Sequence, residues 1–344
     1  MGLVYAVASL GAILATLTAP YALKKFGVHK FLVFLIGLDA LSVLTFTLSE
    51  SGSLIVVSFI LGMAINTLIV FALDELLKIF SDNAGLGGIR GTYLAIGSSA
   101  WVISQVLLFL SGNLALRAIY LIAFFIMAAL FLLSLFALRK VPDPAYDRLK
   151  SLRYVRKFFK NKNLSRAYRI NLILQFFFSI MVIYTPIYLS AHLGFSWREI
   201  GAIFAVMLLP FVILPFHVGR YEDKIGERRM LMLGFFIAGM ASISLFFLEK
   251  PDLASWAIML FLTRVGAATT EVSSDTYFFK HIKPENEEWI GVYRTAPGTA
   301  YILAPLAALL IFSLVPSFKF IFPLLGAVMF YGVYLSSTIK KSDI

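Results

Sequence analysis

Arg264, Glu271 and Asp275 lie seven and four residues apart inside an otherwise apolar stretch. At that spacing all three leave the same face of a helix. A charge at mid-bilayer costs about 2.5–3.5 kcal/mol on insertion scales, so a chain that keeps three of them has partners, water or a use for them. Two kinds of chemistry fit. A membrane-embedded carboxyl can carry a proton, and a guanidinium can hold an anionic group or neutralise the acid. Arg264 falls near mid-depth of its stretch, and Glu271 lies about 10 Å further along at 1.5 Å per residue. Asp39 is a further acid within an apolar run, where it bonds a neighbouring helix or takes up a proton.

The elements that must position these residues are apolar and long. Hydrophobic residues make up 60% of the chain, charged residues 14%, and mean hydropathy is +0.87. Eleven stretches are each long enough to cross a hydrocarbon core of roughly 30 Å as a helix: 1–20, 31–49, 53–73, 91–111, 116–137, 169–190, 198–217, 230–248, 253–276, 290–312 and 318–338. The runs are continuous rather than alternating, which excludes a barrel. The first run lacks the basic start of a cleavable leader. There is no cysteine, hence no disulfide or thiolate metal site. A net charge of +11 invites a nucleic-acid reading, but the charge is confined to alternate loops. Of the 30 Lys and Arg, only Arg117, Arg198, Lys250 and Lys319 fall outside the loops expected on the cytoplasmic side, and Arg264 and Arg294 lie within helices. Such a bias sets orientation. It puts the N-terminus outside and the C-terminus, with Lys340 and Lys341, in the cytoplasm. The basic connection 139–168 opens on Pro142 and Pro144 and carries Leu149, Leu152, Val155 and Phe159 at helical spacing. It is expected to lie on anionic headgroups.

Residues 219–229 read Gly-Arg-Tyr-Glu-Asp-Lys-Ile-Gly-Glu-Arg-Arg, and a weaker copy lies 199 positions earlier. At that offset Gly2, Val4, Tyr5, Ala6 and Val7 meet Gly201, Ile203, Phe204, Ala205 and Val206, while Lys25, Gly27 and Lys30 meet Lys224, Gly226 and Arg229. A repeat this long is no solenoid; it fits two parallel halves related by an axis along the membrane normal. Residues 1–138 form the first half with five helices, 139–168 a linker, and 169–344 a second half with six.

Gly219, Asp223, Lys224, Gly226, Arg228 and Arg229 resemble the signature that the major facilitator superfamily carries between the second and third helices of each half. The resemblance spans essentially the whole chain. It implies an all-α, two-fold pseudo-symmetric bundle of about eleven membrane helices. Residue 1 aligns with residue 200, so the helix that the family places first is expected to be missing. The earlier copy of the signature is degraded, with Pro20, Lys24 and His29 at motif positions. In the family the acid latches a gate against a helix start in the other half, where a positive helix end favours it. The resemblance therefore implies Asp223 facing the helix start near Gly91, with Arg90 as charge partner. In the other half the charges are inverted, and Lys24 and Lys25 are expected to face Glu287 and Glu288.

The repeat also sorts the buried charges. Asp74 followed by Arg90, and Asp275 followed by Arg294, recur in both halves and read as structural ion pairs. Glu271 has no acidic counterpart in the first half, which marks it, with Arg264, as the candidate for cargo or proton. Asn66, Gln105, Asn171, Gln175, Tyr184 and Tyr301 fall on helices that the resemblance places around a cavity; each alone also serves as an interhelical hydrogen bond. Pro186, Pro210, Pro215, Pro297 and Pro305 are expected to bend second-half helices.

Other chemistries lack their residues. His29, His192, His217 and His281 are scattered without metal spacing, and neither a phosphate-binding loop nor a Gly-x-Ser-x-Gly elbow occurs. No enzyme activity, metal or cofactor is expected. The leading function is a secondary transporter, working by alternating access and coupled to protons. It is read as a monomer in the cell membrane, with lipid and a small-molecule cargo as partners and no nucleic acid. The alternative is a non-transporting or inactive truncated relative, a sensor or relic.

Overall fold

Hydrocarbon offers backbone N–H and C=O groups no water, so a spanning segment must bond within itself. The computed structural model describes residues 2–80, 86–110, 116–139, 153–282, 288–315 and 317–339, and it holds helices but no strand among the described residues. The long ones are α1 (Gly2–Phe26), α2 (Val28–Leu48), α3 (Gly52–Phe80), α4 (Leu86–Leu110) and α5 (Leu116–Ala137). After the short α6 (Arg153–Lys160) come α7 (Lys162–Ile187), α8 (Trp197–Ile225), α9 (Glu227–Leu245) and α10 (Leu253–Lys280). The chain ends with α11 (Glu288–Tyr293), α12 (Ala296–Leu314) and α13 (Ile321–Ser337). Among the described residues nine helices are long and apolar enough to cross a membrane, and α1 and α4 hold the shorter apolar stretches Leu3–Ala15 and Ser99–Leu110. The fold is the expected all-α membrane bundle.

Helices outrun their apolar runs because hydropathy marks only the part in hydrocarbon. The motif expected as a loop is therefore almost wholly helical. Residues 219–225 continue α8, and Gly226 alone (φ 83, ψ 152) separates it from α9. In the first half Gly27 (φ 77, ψ 158) does the same between α1 and α2. This backbone region is open essentially to glycine only. The flanking hydrogen bonds repeat with it: Gly27 N donates to Leu23 O at 2.8 Å and Gly226 N to Glu222 O at 2.8 Å.

The expected span 290–312 is broken. α11 ends at Tyr293, Arg294 and Thr295 form a turn, and α12 restarts with Pro297 in its first turn. Proline tolerates a helix start, where its missing N–H has no intrahelical partner to lose. Pro210 and Pro215 lie inside α8 without ending it. Pro186 lies inside α7, which closes in a π-helical turn, Tyr188–His192.

The chain forms two compact units, Met1–Leu94 with Asn113–Lys150, and Ala95–Gly112 with Ser151–Ile344. The first is cored by Leu23, Val28, Phe31, Leu32, Ala72 and Leu76. In the second, α9 and α10 touch backbone to backbone. A Cβ on Gly266 would lie 2.4 Å from Ala238 N and 2.5 Å from Gly234 O. Small residues are what allow helices in a membrane to approach so closely. Exposed Phe125, Phe136, Leu309, Leu310 and Leu314 give apolar outer faces that suit lipid. In α6 the buried residue is Phe158, which packs edge-on against Tyr168 and Trp289, while Phe159 is exposed.

Two basic residues that depart from the charge bias are paired. Arg117 meets Glu50 at 3.2 Å, and Lys319 meets Glu249 at 3.1 Å. Glu50 and Glu249 again stand 199 positions apart. Exposed pairs contribute roughly 0–1 kcal/mol, so these align helix ends more than they stabilise.

Gly266→Ala should force α9 and α10 apart and cost about 1–3 kcal/mol as overpacking, and Gly226→Ala should cost about 1–3 kcal/mol through its backbone conformation. Both should lower the melting temperature in detergent. Gly97→Ala, with nothing within 4 Å of the added atom, should not.

Candidate functional site

α10 has two faces. Gly266 and Thr270 point at α9. Arg264, Glu271 and Asp275 leave the helix away from that stripe, as 100° per residue dictates. Arg264 is only 2% exposed. Its guanidinium lies over the rings of Phe177 and Phe178 of α7, 5.2 and 5.4 Å from their centroids. Its electrostatic neighbours are Tyr301 of α12 and Glu271. No hydrogen bond or ion pair reaches Arg264 among the described residues, and its Nε is buried without a partner. Helical side chains slope toward the N-terminus: Glu271 leans toward Arg264, but Arg264 leans away, so the two stay unpaired.

Nearer the Lys280 end, Tyr293 organises the polar groups. Its ring stacks on Phe278 at 3.8 Å. Its hydroxyl donates to Asp275 Oδ1 at 3.0 Å and shares a hydrogen bond with Ser274 Oγ at 2.9 Å. Asn171 Nδ2 reaches Tyr293 O at 3.5 Å, and Gln175 Nε2 donates to Asn171 Oδ1 at 3.2 Å. The second unit thus brings Asn171, Gln175, Arg264, Glu271, Asp275 and Tyr301 onto three packed helices, α7, α10 and α12.

Other expected residues have neighbours of their own. Tyr184 packs among Phe312 and Phe318. Gln105 touches Ser104 Oγ at 3.3 Å, and Asn66 is exposed on α3. Lys25 is exposed with its ammonium over Phe26. Arg294 is exposed in the turn before α12. The side chains of Lys24, Asp74, Arg90, Asp223, Glu287 and Glu288 lie outside the described residues, and with them the expected gate contacts. The described residues hold no group of acids and histidines able to bind a metal.

The Major Facilitator Superfamily profile matches residues 1–305, and again 186–340. The chain belongs to the major facilitator superfamily. It is therefore a multi-pass membrane protein of a transporter family. The crystal structure of the nucleoside transporter NupG superposes with a TM-score of 0.77, covering 97% of this chain and 89% of that one at 13% identity. That likeness is one of fold. No curated protein matches the chain.

Within the superfamily signature, this chain buries two acids that sequence reasoning passed over. Glu222 is 3% exposed and accepts a hydrogen bond from Ser273 Oγ of α10. Glu227 is 1% exposed and pairs with Lys280 at the end of α10. The second carboxylate oxygen of Glu227 has no partner among the described residues. The repeat held the signal. At the 199-residue offset these acids replace Leu23 and Val28, which are 1% and 0% exposed. Phe177, Phe178 and Tyr293 gave no such sign, since aromatic residues are common throughout the chain.

Burial pushes the Glu222 carboxyl above its ordinary range, opposed by hydrogen bonds from Ser273 and Thr276; nearby Glu227 also raises it and Lys280 lowers it. A raised acid keeps its proton in the folded chain where the unfolded chain has released it. The stability this contributes is fully present below the unfolded value and is lost as pH rises through the folded one. Melting of the detergent-solubilised protein should therefore show a component that weakens from acid toward neutral pH. Glu222→Gln should flatten that component, and an unchanged profile would refute the assignment.

Proposed function

We propose that the protein is a secondary active transporter that moves a small molecule across the cell membrane by alternating access, with protons as the coupling ion. The observation that carries this reading is the stripe on α10: a buried Arg264 and an unpaired Glu271 on one face of a spanning helix. A bundle that needed Arg264 only for packing would pair it, because an uncompensated buried charge is costly. Glu271 serves as the proton carrier. Asn171, Gln175 and Tyr301 line the same region, with Asn66, Gln105 and Tyr184 as further cargo contacts.

The remaining assignments follow from the family pattern. Asp223, with Gly219, Lys224, Gly226, Arg228 and Arg229, latches a gate against Arg90, and Lys24 and Lys25 oppose Glu287 and Glu288. Asp74, Asp275 and Arg294 hold helices together. The halves are 1–138 and 169–344, joined by the linker 139–168, in a monomer. The charge bias supports an external start of this chain and a cytoplasmic C-terminus. The similar solved structure is that of a nucleoside transporter, which puts nucleosides among the cargoes to test.

In proteoliposomes holding a pH-sensitive dye, a panel of nucleosides and small organic acids should reveal a cargo whose uptake carries protons. Glu271→Gln should abolish that proton movement while leaving cargo exchange across the membrane intact. Proton movement equal to wild type would sink the role given to Glu271.

A further inference from the structure

The surroundings of Arg264 go further than a transporter in general. A phenyl face compensates the charge of a guanidinium, at about 0.5–2 kcal/mol per ring. It does nothing for the N–H donors, which point outward in the guanidinium plane. Arg264 has two such faces, from Phe177 and Phe178, and no acceptor among the described residues. The residue thus has ring faces near its charge and no acceptor for its donors among the described residues. The partner that completes it is a planar acceptor with two oxygens and one negative charge, because a carboxylate matches the guanidinium fork.

The neighbours narrow the class. Arg264 is the only described cation on this face of α10, and Glu271 and Asp275 follow it. One cation matches one negative charge on a cargo; a dianion such as phosphate would bring a second with no described cation on this face to meet it, which is costly. An uncharged carbonyl could accept from one donor, but without the negative charge and the second oxygen that match the fork. Phe177, Phe178 and Tyr301 supply apolar and aromatic surface beside the charge.

We propose that Arg264 is the anion-binding residue of the cargo site, and that the cargo is a monocarboxylate on a compact apolar or aromatic body. The proposal rests on the transporter reading for the word cargo, but the binding site stands or falls on its own measurement.

The test is equilibrium binding to the full chain in nanodiscs of neutral lipid, with labelled formate, hexanoate and benzoate as probes. Benzamide serves as the uncharged match of benzoate, and phosphate and uridine serve as competitors. At least one monocarboxylate should saturate the wild type; benzamide, phosphate and uridine should not displace it. Arg264→Gln should weaken binding about 10- to 100-fold, the loss of one charge-assisted pair, and Arg264→Lys should restore part of it. Arg264→Gln removes an unpaired buried charge, so it should melt no lower than wild type, which separates lost binding from lost fold. Carboxylate binding without uptake into vesicles would uphold the anion site and overturn the transporter reading. The proposal fails if no monocarboxylate binds, if benzamide binds as well as benzoate, if Arg264→Gln binds unchanged, or if uridine alone binds.

Discussion

A backbone in hydrocarbon can leave the helix only where something else bonds its polar groups. Beyond the apolar spans, at Gly27 and Gly226, a single residue turns the chain, and its N–H still reaches the carbonyl four residues back. At the break between α11 and α12 the chain needs help. Thr295 Oγ1 donates to Val292 O at 2.7 Å, and Asn171 Nδ2 reaches Tyr293 O. Tyr168 brings its hydroxyl to Thr295 and Thr299, at 3.3 and 3.2 Å. Part of the polar lining of the second unit therefore exists because a helix is interrupted there.

The charges divide by how they are compensated. Glu50 with Arg117, and Glu249 with Lys319, are exposed and inexpensive. Glu222 and Glu227 are buried and tied to α10 through Ser273 and Lys280. Arg264 is buried against ring faces, with no hydrogen bond or ion pair among the described residues. This last arrangement gives up stability that a hydrophobic residue of similar volume would keep, which is the physical reason to look there for a ligand.

Much of this was legible in the sequence. Long apolar runs dictate helices, and the 199-residue offset anticipated paired turns that the backbone angles of Gly27 and Gly226 repeat. The seven-and-four spacing of Arg264, Glu271 and Asp275 placed them on one face of α10. Other features were hidden for identifiable reasons. Hydropathy does not register the polar ends of helices, so residues 219–225 read as a loop. Charged side chains beside a membrane read as interfacial, so Glu222 and Glu227 were missed although their repeat partners are Leu23 and Val28. Tyr184 sits among Phe312 and Phe318 because a tyrosine within a span carries no mark of which neighbours it will meet. The prolines differ in effect by position: Pro297 opens a helix, while Pro210 and Pro215 sit within one.

The contact between Gly234 and Gly266 has a mechanical consequence. With no side chain between them, the two helices have no compressible layer, and α10 cannot move toward α9 or rotate against it without a backbone collision. The pair behaves as one stiff beam. Arg264 sits at its middle, with Ser273 and Lys280 about 13 and 24 Å along it at 1.5 Å per residue. A pull on the guanidinium is therefore also a load on the joints that Glu222 and Glu227 make with the far end of the beam.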